Sequence, residues 1–355
     1  MADIHGTCEA RFDGIREALA ASLDADDVGA SAAVYVDGEP MADVWGGHVD
    51  VARTVPWERD TITNVFSTTK TMTALSALIL ADRGHLDLNA PVARYWPEFA
   101  ANGKEGVLVR HLLGHTAGLP SFEGPTAVED LYDWPAVTAR LAAQTPEWEP
   151  GTAAGYHSAT QGFLVGEVVR RVTGRSLGTF FAEEVAGPLG ADFHIGLPAE
   201  HDHRVAPGIP APQGDRPDGF LLGVSDSNTE AWRRAEIPAL NGFGNARSVG
   251  LVQSVLACGG EVGGVRLLSE AGCERALEEQ FHGTDRILGM PVRWGMGYRL
   301  EGRTCSWGGW GGSVLLADLD HRMTVAYVMN QVLWDGDGYA RGLSIVMAAY
   351  EAIAK

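Results

Sequence analysis

Lysine is almost absent from this sequence. Among 355 residues it occurs only as Lys70, Lys104 and Lys355, and arginine supplies the rest of the positive charge. Lys104 lies in a polar Asn-Gly-Lys-Glu-Gly segment and Lys355 is the last residue, whereas Lys70 lies in the apolar, helix-like run 67–80. Arginine stays protonated in proteins, but a buried lysine can give up its proton. The sequence therefore marks Lys70 as a candidate base.

Cysteine is scarce as well, and its spacing matches no zinc or redox motif. The four cysteines are Cys8, Cys258, Cys273 and Cys305, and no two of them form a C-x-x-C pair. We therefore expect free thiols in a reducing compartment, and we expect no cysteine-based metal site.

The sequence also lacks an apolar run long enough to span a bilayer, and its first residues lack the basic and apolar regions of a signal peptide. These two observations predict a cytoplasmic protein. A net charge of −19 argues against nucleic acid and anionic membranes as partners, and its simplest role is solubility. Hydrophobic and charged contents of 45% and 21% are ordinary for a globular protein with one large domain or two coupled ones.

Strand patterns lie at the two ends of the chain, and helical patterns lie between them. Period-two alternation and a D-G turn predict strands at residues 32–36, 41–45, 293–298, 314–318 and 323–329. Apolar periodicity predicts a helix from Ser67 to Gly84 and others at residues 8–23, 109–115, 134–143, 160–172, 177–185 and 342–353. Residues 207–226, rich in proline, glycine and aspartate, predict a long loop. We predict an α/β domain from residues 1–85 and 240–355 that holds a mostly helical insertion, residues 86–239.

Ser67 and Lys70 form an S-x-x-K pair at the start of the predicted helix. Positions i and i+3 share a helix face, so a nucleophile lies beside a possible base. The positive potential of a helix N-terminus also favours developing negative charge. The motif is short enough to arise by chance, and the alternative is that Ser67 or Thr68 only caps the helix.

A second candidate element is Tyr156-His157-Ser158, just ahead of the helix predicted at residues 160–172. A tyrosine in such a loop can direct its hydroxyl into a neighbouring cleft, and Tyr156 has no comparable local role. Ser158 begins an S-A-T-Q sequence that matches a capping box, so the alternative for Ser158 is a cap of the following helix.

A third element is the glycine-rich segment 306–313, which runs into a predicted strand. Glycine lets the backbone approach a ligand closely, and a backbone N–H there could form part of an oxyanion hole. Trp307 and Trp310 indicate a cleft that accepts apolar or aromatic groups. The alternative is a glycine-rich turn with two packed tryptophans.

Together these elements resemble the serine β-lactamase-type hydrolases of the penicillin-binding-protein-like superfamily, above all the class C enzymes and the family VIII carboxylesterases. The S-x-x-K pair matches one family motif, Tyr156-His157-Ser158 resembles Y-x-N/S, and Trp307-Gly308-Gly309 stands in place of K-T-G, as W-G-G does in some of the esterases. Residues 112–119, L-L-G-H-T-A-G-L, resemble L-L-x-H-T-S-G-L. Residues 187–190 and 264–269 are also similar to family segments, so the resemblance covers nearly the whole chain.

The resemblance implies an α+β fold of the β-lactamase/transpeptidase type, an antiparallel sheet flanked by helices, with the active site in the cleft beside the helical insertion. It implies that Ser67 is the nucleophile and that Lys70 and Tyr156 move its proton. The N–H groups of Ser67 and Trp310 would hold the oxyanion of a reaction that passes through an acyl-enzyme. No metal or cofactor is implied. The implied substrate-binding residues are Ser158, Trp307, Gly308 and Gly309.

Two departures from the family pattern bear on the substrate. Trp307 replaces the cation that helps to hold the carboxylate of a β-lactam, and Ser158 replaces an asparagine. We therefore expect a carboxylesterase that acts on short-chain or small-molecule esters. Amide hydrolysis, acyl transfer and weak β-lactam cleavage use the same machinery and remain alternatives, as does a catalytically inactive binding or sensor protein.

Two further patterns suggest rival sites. Residues 174–178 match G-x-S-x-G, but the segment before them has helical periodicity, so we predict that Ser176 caps a helix. His111 and His115 are four residues apart on a predicted helix but lack the glutamate of H-E-x-x-H. Residues 201–203, His-Asp-His, are a weaker cluster. We predict packed or surface histidines and no metal.

Overall fold

The computed structural model describes residues 1–334 and 336–354, so Asp335 and Lys355 lie outside it. Its strands are β1 (Ile4–Cys8), β2 (Gly29–Val36), β3 (Glu39–Gly47), β4 (Thr63–Asn64), β5 (Phe193–Ile195), β6 (Gly242–Gly244), β7 (Glu261–Val262), β8 (Val265–Arg266), β9 (Phe281–Thr284), β10 (Pro291–Trp294), β11 (Arg299–Glu301), β12 (Thr304–Gly308), β13 (Val314–Asp318) and β14 (Met323–Met329). Its α-helices are α1 (Asp13–Ala25), α2 (Thr69–Asp82), α3 (Val109–Leu113), α4 (Trp134–Ala143), α5 (Thr160–Thr173), α6 (Leu177–Phe181), α7 (Gly187–Leu189), α8 (Glu230–Arg234), α9 (Ala246–Ala257), α10 (Glu270–Ala276) and α11 (Gly336–Ile353). Short 3-10 turns lie at Ala10–Phe12, Val92–Arg94, Pro97–Ala100, Glu129–Tyr132, Ala199–Arg204 and Ser225–Asn228.

A nine-stranded antiparallel sheet is built from both ends of the chain. Its strand order is β1-β3-β2-β14-β13-β12-β11-β10-β9. The two ends meet where β2 pairs with β14, with Ala33 opposite Ala326. The α+β class and the antiparallel sheet expected from the family resemblance are confirmed.

Helices cover both faces of this sheet. Helices α1 and α11 pack on one face, where Phe12, Leu19 and Ile345 are buried among the side chains of β2 and β14. Helix α9 packs on the other face, and α2 lies against α9, where the Gln253 amide donates to the Thr71 carbonyl oxygen at 3.2 Å. Strands β2 and β14 are apolar along nearly their whole length because both of their faces are covered.

Helices α3 to α8 lie in the middle of the chain, and α5 packs against α2. Strand β5 of this region pairs with β6, which pairs with β4 just ahead of α2. A single cluster of buried apolar residues runs from the sheet face into the helices. The division into residues 1–85 with 240–355 and residues 86–239 remains our prediction.

Several predicted boundaries are wrong, and tertiary contacts explain most of them. The helix predicted at 8–23 begins only at Asp13, because Cys8 ends an edge strand that pairs with Ala42 of β3. The strand predicted at 293–298 is observed only at residues 293 and 294, where β10 ends, and the rest is a turn at Gly297, where φ is 87°, that leads into β11. The helix predicted at 177–185 ends at Phe181 and continues as a π-helical turn, Ala182–Ala186.

Two further boundaries concern α2 and α11. Helix α2 ends just before Gly84, as predicted, and α11 begins six residues before the predicted start of 342. In the part of the chain that the structure describes, no helix is both long and apolar enough to cross a bilayer.

Candidate active site

Ser67 lies in the turn that leads from β4 into α2. The preceding residue, Phe66, has a φ of 45°, a conformation that costs free energy in a bulky residue and is often found beside active sites. The Thr69 hydroxyl bridges the turn by donating to the Phe66 carbonyl oxygen at 2.5 Å and accepting from the Gly242 N–H at 2.8 Å. Thr68 occupies the N-cap position of α2, as the alternative had it, but its side chain makes no capping hydrogen bond.

The Lys70 side chain is fully buried on the first turn of α2. Its Nζ lies 2.6 Å from the Ser158 carbonyl oxygen and 3.0 Å from the Ala239 carbonyl oxygen. Ser67 Oγ is the third neighbour, at 3.4 Å. Burial holds the pKa of the Lys70 amine well below its usual value, because the charged form loses its hydration. Burial therefore favours the neutral amine more than it would be favoured in a lysine exposed to water.

A neutral amine has two N–H groups and one lone pair. In that form the carbonyl oxygens of Ser158 and Ala239 would accept the two N–H groups, and the lone pair would face Ser67 Oγ, 3.4 Å away. The Ser67 hydroxyl can then donate its proton to Lys70. The geometry suits a base directed at the serine.

Tyr156 reaches the same serine from the loop before α5. Its hydroxyl donates to Ser67 Oγ at 2.7 Å. Burial, and secondarily Tyr339 and Asp285, raise the pKa of Tyr156 well above its usual value, although hydrogen bonds with Ser67 and Trp307 oppose the shift. The phenol therefore stays protonated at rest and is available as an acid.

Aromatic rings surround Tyr156. The Trp307 and Trp294 rings stack at 5.2 Å, and their centroids lie 6.0 and 6.5 Å from that of Tyr156. The buried His115 ring lies 5.3 Å from the Tyr156 ring, in an edge-on orientation. Trp307 therefore forms part of the wall beside Tyr156 and supplies no positive charge there.

Two buried histidines support this wall in defined tautomers. The His157 Nδ1 lies 2.6 Å from the Gly155 carbonyl oxygen, and its Nε2 accepts from the Leu119 N–H at 3.1 Å, so the ring proton is on Nδ1. The His115 Nδ1 accepts from the His157 N–H at 3.1 Å. Burial lowers the pKa of His157 to about 4 and that of His115 well below its usual value, so both are neutral at neutral pH.

The glycine-rich turn after β12 lies directly against the start of α2. The Ser313 hydroxyl donates to the Val65 carbonyl oxygen at 2.9 Å and lies 2.9 Å from Thr68 Oγ1. A Cβ on Gly309 would overlap the Val65 carbonyl oxygen and Ser313 Oγ, so only glycine fits there. Within the described residues, the backbone N–H of Trp310 donates to no backbone carbonyl oxygen.

The remaining predicted site residues are Trp310, Gly308 and Ser158. The Trp310 ring packs between Phe66 and Phe220, at centroid distances of 5.1 and 5.6 Å. Gly308 lies beside Tyr339, whose ring carbon would be 3.0 Å from a Cβ at that position. Ser158 has an exposed side chain, and the N-cap of α5 is Ala159 without a side-chain hydrogen bond. The capping box predicted for Ser158 is therefore wrong.

Burial does not by itself distinguish Lys70, because Lys104 is fully buried as well, although its sequence neighbours are polar. The Lys104 Nζ donates to the carbonyl oxygens of Ala101, at 2.8 Å, and Gln144. It thereby joins the loop before α3 to the end of α4. Two of the three lysines are therefore buried, and of these two only Lys70 lies beside a serine hydroxyl and a tyrosine, Ser67 and Tyr156.

The rival motifs have structural roles. Ser176 follows helix α5 and caps α6, accepting from the Thr179 N–H at 3.1 Å and donating to Glu236 at 2.6 Å. The predicted cap is confirmed. The element directly before Ser176 is helix α5, whereas a G-x-S-x-G nucleophile would follow a strand. Helix α3 ends at Leu113, so His111 and His115 do not share a helix face. Across residues 1–334 and 336–354, no group of three or more His, Cys, Asp or Glu side chains could hold a metal ion.

Sequence reasoning missed three residues of the site. The Ala239 carbonyl oxygen contacts Lys70, Trp294 stacks on Trp307, and Asp285 accepts a hydrogen bond from the Tyr156 N–H at 3.0 Å. A backbone carbonyl leaves no trace in residue type, and Asp285 lies in a polar G-T-D-R segment typical of an exposed turn. Only Trp294 had a usable signal, because it is a tryptophan within a predicted strand.

Comparison with known proteins identifies a family whose model covers nearly the whole chain. The family model described as Beta-lactamase matches residues 15–349. Esterase/beta-lactamase LipL of Mycobacterium tuberculosis (strain ATCC 25618 / H37Rv) is 37% identical over 363 residues, which cover 93% of this chain and 83% of that protein. Esterase EstB of Burkholderia gladioli is 33% identical over 219 residues, which cover 53% of this chain and 55% of that protein.

Solved structures give the same result over the full length. The crystal structure of a family VIII carboxylesterase matches with a TM-score of 0.93 and 42% identity, covering 99% of this chain and 100% of that one. A penicillin-binding protein homologue from Caulobacter crescentus matches with a TM-score of 0.90 and 36% identity, over the same shares. These matches confirm the resemblance inferred from the motifs. The chain belongs to the Beta-lactamase family.

Proposed function

We propose that this serine hydrolase is a carboxylesterase that acts on short-chain or small-molecule esters through an acyl-enzyme. The observation that carries the proposal is the position of Ser67 Oγ, 2.7 Å from the Tyr156 hydroxyl and 3.4 Å from the Lys70 amine. The names of the similar proteins, which include esterases and a carboxylesterase, support the same reaction class.

In the proposed acylation, Ser67 Oγ attacks the ester carbonyl carbon while its proton passes to the neutral Lys70. The N–H groups of Ser67 and Trp310 hold the oxyanion, and losing one such donor typically costs about 10²–10³ in rate. When the carbon–oxygen bond of the ester breaks, Tyr156 gives its proton to the departing alcohol. The proton on Lys70 then restores the phenol.

Deacylation repeats these steps with water as the nucleophile. Water gives its proton to the Lys70–Tyr156 pair and attacks the acyl carbon, and Ser67 leaves with a proton returned by the pair. The products are a carboxylic acid and free enzyme. An alcohol in place of water would give acyl transfer, so transesterification remains an alternative with the same machinery.

The preference for esters over β-lactams follows from Trp307. A β-lactam antibiotic brings a carboxylate into the cleft, and an unpaired carboxylate loses hydration on binding. Trp307 lies in an aromatic stack with Trp294 and carries no positive charge. A neutral ester has no such charge to pair. In this proposal Ser158, Gly308 and Gly309 complete the substrate-binding surface around Trp307.

An inactive binding or sensor protein is the alternative from another class. It would retain the fold without needing Ser67, Lys70 and Tyr156 in mutual contact. Turnover of an activated ester therefore discriminates between the two. A cytoplasmic location also remains a proposal, supported by the four free cysteines.

The deciding experiment compares kcat/KM for p-nitrophenyl esters of increasing acyl length with that for nitrocefin. We expect turnover of the acetate and butyrate esters to exceed that of nitrocefin, and Ser67→Ala to abolish all of it. A higher value for nitrocefin would overturn the esterase assignment. No turnover of any substrate by the folded protein would favour the sensor alternative.

A further inference from the structure

A carboxylate without a cationic partner is buried beside Tyr156. Asp285 is 0% exposed, and among the described residues no lysine or arginine forms an ion pair with it. It lies just after β9, in the loop that leads to β10. Burying a charge is costly unless hydrogen bonds replace its hydration, so the burial of Asp285 must be offset by hydrogen bonds from its neighbours.

Four N–H groups meet the two oxygens of Asp285. Its Oδ1 accepts from the backbone N–H groups of Tyr156 at 3.0 Å, Ile287 at 2.9 Å and Leu288 at 2.9 Å. Its Oδ2 accepts from the indole N–H of Trp294 at 3.0 Å. All four contacts come from N–H donors, which suits a carboxylate whose two oxygens only accept.

Two of these bonds lead into the active site. The bonds from Ile287 and Leu288 close the local turn and would suffice for it. The bond from the Tyr156 N–H fixes the backbone of the tyrosine, and the bond from Trp294 fixes the ring stacked 22° from parallel with that of Tyr156. A single carboxylate therefore holds Tyr156 by its backbone and by the ring packed on it.

A second contact ties the same two loops together. The Arg286 N–H donates to the Ala154 carbonyl oxygen at 2.9 Å, two residues before Tyr156. The loop that carries Asp285 thus runs alongside the segment 154–156. The charge has its own effect as well, since Asp285, after burial and Tyr339, contributes to the raised pKa of Tyr156.

We propose that Asp285 is a positioning residue that keeps the Tyr156 hydroxyl on Ser67. The inference rests on the proposed roles of Tyr156 and Ser67. Asp285 touches neither the serine nor a substrate in this proposal, and it acts only through the tyrosine and Trp294. Its loss should therefore lower proton transfer and leave substrate binding nearly unchanged.

Three variants separate charge from hydrogen bonding. Asp285→Asn retains an oxygen for the three backbone donors but removes the charge and sets an amide N–H₂ against the Trp294 N–H. Trp294→Phe keeps the charge and removes one donor. The double variant loses the charge without the clash of donors. Asp50→Asn is the matched control, because Asp50 also accepts two backbone N–H groups, from Thr54 and Val55, in an exposed turn.

Each variant is made with Tyr156 intact and with Tyr156→Phe. We measure kcat and KM for p-nitrophenyl butyrate and the rate at which a p-nitrophenyl phosphonate labels Ser67. With Tyr156 intact, Asp285→Asn should lower kcat and labelling about tenfold or more and change KM less than about threefold. With Tyr156→Phe, the same substitution should change labelling by less than about twofold, since the group it positions is gone.

Equal slowing in both backgrounds would mean a general structural role and would overturn the inference, as would an unimpaired Asp285→Asn. Should Asp285→Asn fail to fold, Trp294→Phe carries the same comparison. A Tyr156→Phe variant as active as the wild type would contradict the proposed function instead. Asp50→Asn should behave as the wild type in every assay.

Discussion

The carbonyl oxygen of Ser158 holds the Lys70 amine at 2.6 Å, so Ser158 meets the catalytic candidates through its backbone. Its side chain, which drew attention in the sequence, is exposed. The carbonyl oxygens of Ser158 and Ala239 together fix the orientation of the Lys70 amine. Lysine and arginine therefore differ at this position in chemistry as well as in shape.

Lys70→Arg is expected to be as inactive as Lys70→Ala. A guanidinium stays protonated and has no lone pair for the Ser67 proton, and general base catalysis contributes about 10²–10⁴ in rate. Turnover of p-nitrophenyl butyrate measures the loss, and circular dichroism checks that both variants fold. Substantial esterase activity in Lys70→Arg would remove Lys70 from the role of base.

Activity should fall as the pH is lowered, with its acid limb well below the ordinary pKa of lysine. Lys70 acts as a base only when neutral, and burial lowers its pKa from the ordinary value of about 10.4. The base is therefore lost as the pH falls through the lowered pKa. A profile of kcat/KM against pH checks this. An acid limb centred near the ordinary lysine pKa would contradict it.

Ser176→Ala should keep near-normal turnover and lose stability. Ser176 caps α6, and replacing such a cap by alanine costs about 0.5–2 kcal/mol. Kinetics with p-nitrophenyl butyrate and urea unfolding measure the two effects. A loss of several orders of magnitude in turnover, with the fold intact, would instead make Ser176 of the G-x-S-x-G segment the nucleophile.

Gly309→Ala should disrupt the site, because its Cβ would overlap the Val65 carbonyl oxygen and Ser313 Oγ. We expect the adjoining Trp310 N–H to shift, with a loss of about 10²-fold or more in kcat. Gly106→Ala is the control, since its Cβ would meet no atom within 4 Å. Equal activity of both variants would show that the turn tolerates displacement.

A p-nitrophenyl phosphonate should label Ser67 covalently. Ser67 Oγ bonds to phosphorus, p-nitrophenolate leaves, and the anionic oxygen of the adduct mimics the tetrahedral state. Intact mass should show one added group, and peptide mapping should locate it at residues 65–70. Tyr156→Phe should label more slowly, and EDTA should have no effect. Label on Ser176, or inactivation by EDTA, would refute the assignment.

Local patterns predicted those parts of the fold that depend on side-chain type. The periodicity of residues 134–143 predicts α4 with both of its ends correct, and the alternation at residues 314–318 and 323–329 does the same for β13 and β14. Cys8 was placed in a helix because its pairing with Ala42 is a tertiary contact. His115 was placed on α3 because its φ of 57° cannot be read from residue type.

The candidate site divides in the same way. The proposed roles of Ser67, Lys70 and Tyr156 belong to their side chains, so spacing and family resemblance could predict them. Ala239 contributes a carbonyl oxygen that any residue could supply. Asp285 is recognisable only once its four donors are brought together by the fold.

The pairing of β2 with β14 has a consequence for synthesis on the ribosome. Ala33 finds its neighbour Ala326 only after nearly the whole polypeptide has been made. Contacts of such long sequence separation form slowly and leave the early strands exposed meanwhile. Trp310, which belongs to the same candidate site as Ser67, is also made late in synthesis. A nascent chain halted before β12 would therefore carry the proposed nucleophile, amine and phenol without the proposed second oxyanion donor, and we expect hydrolytic activity only as translation ends.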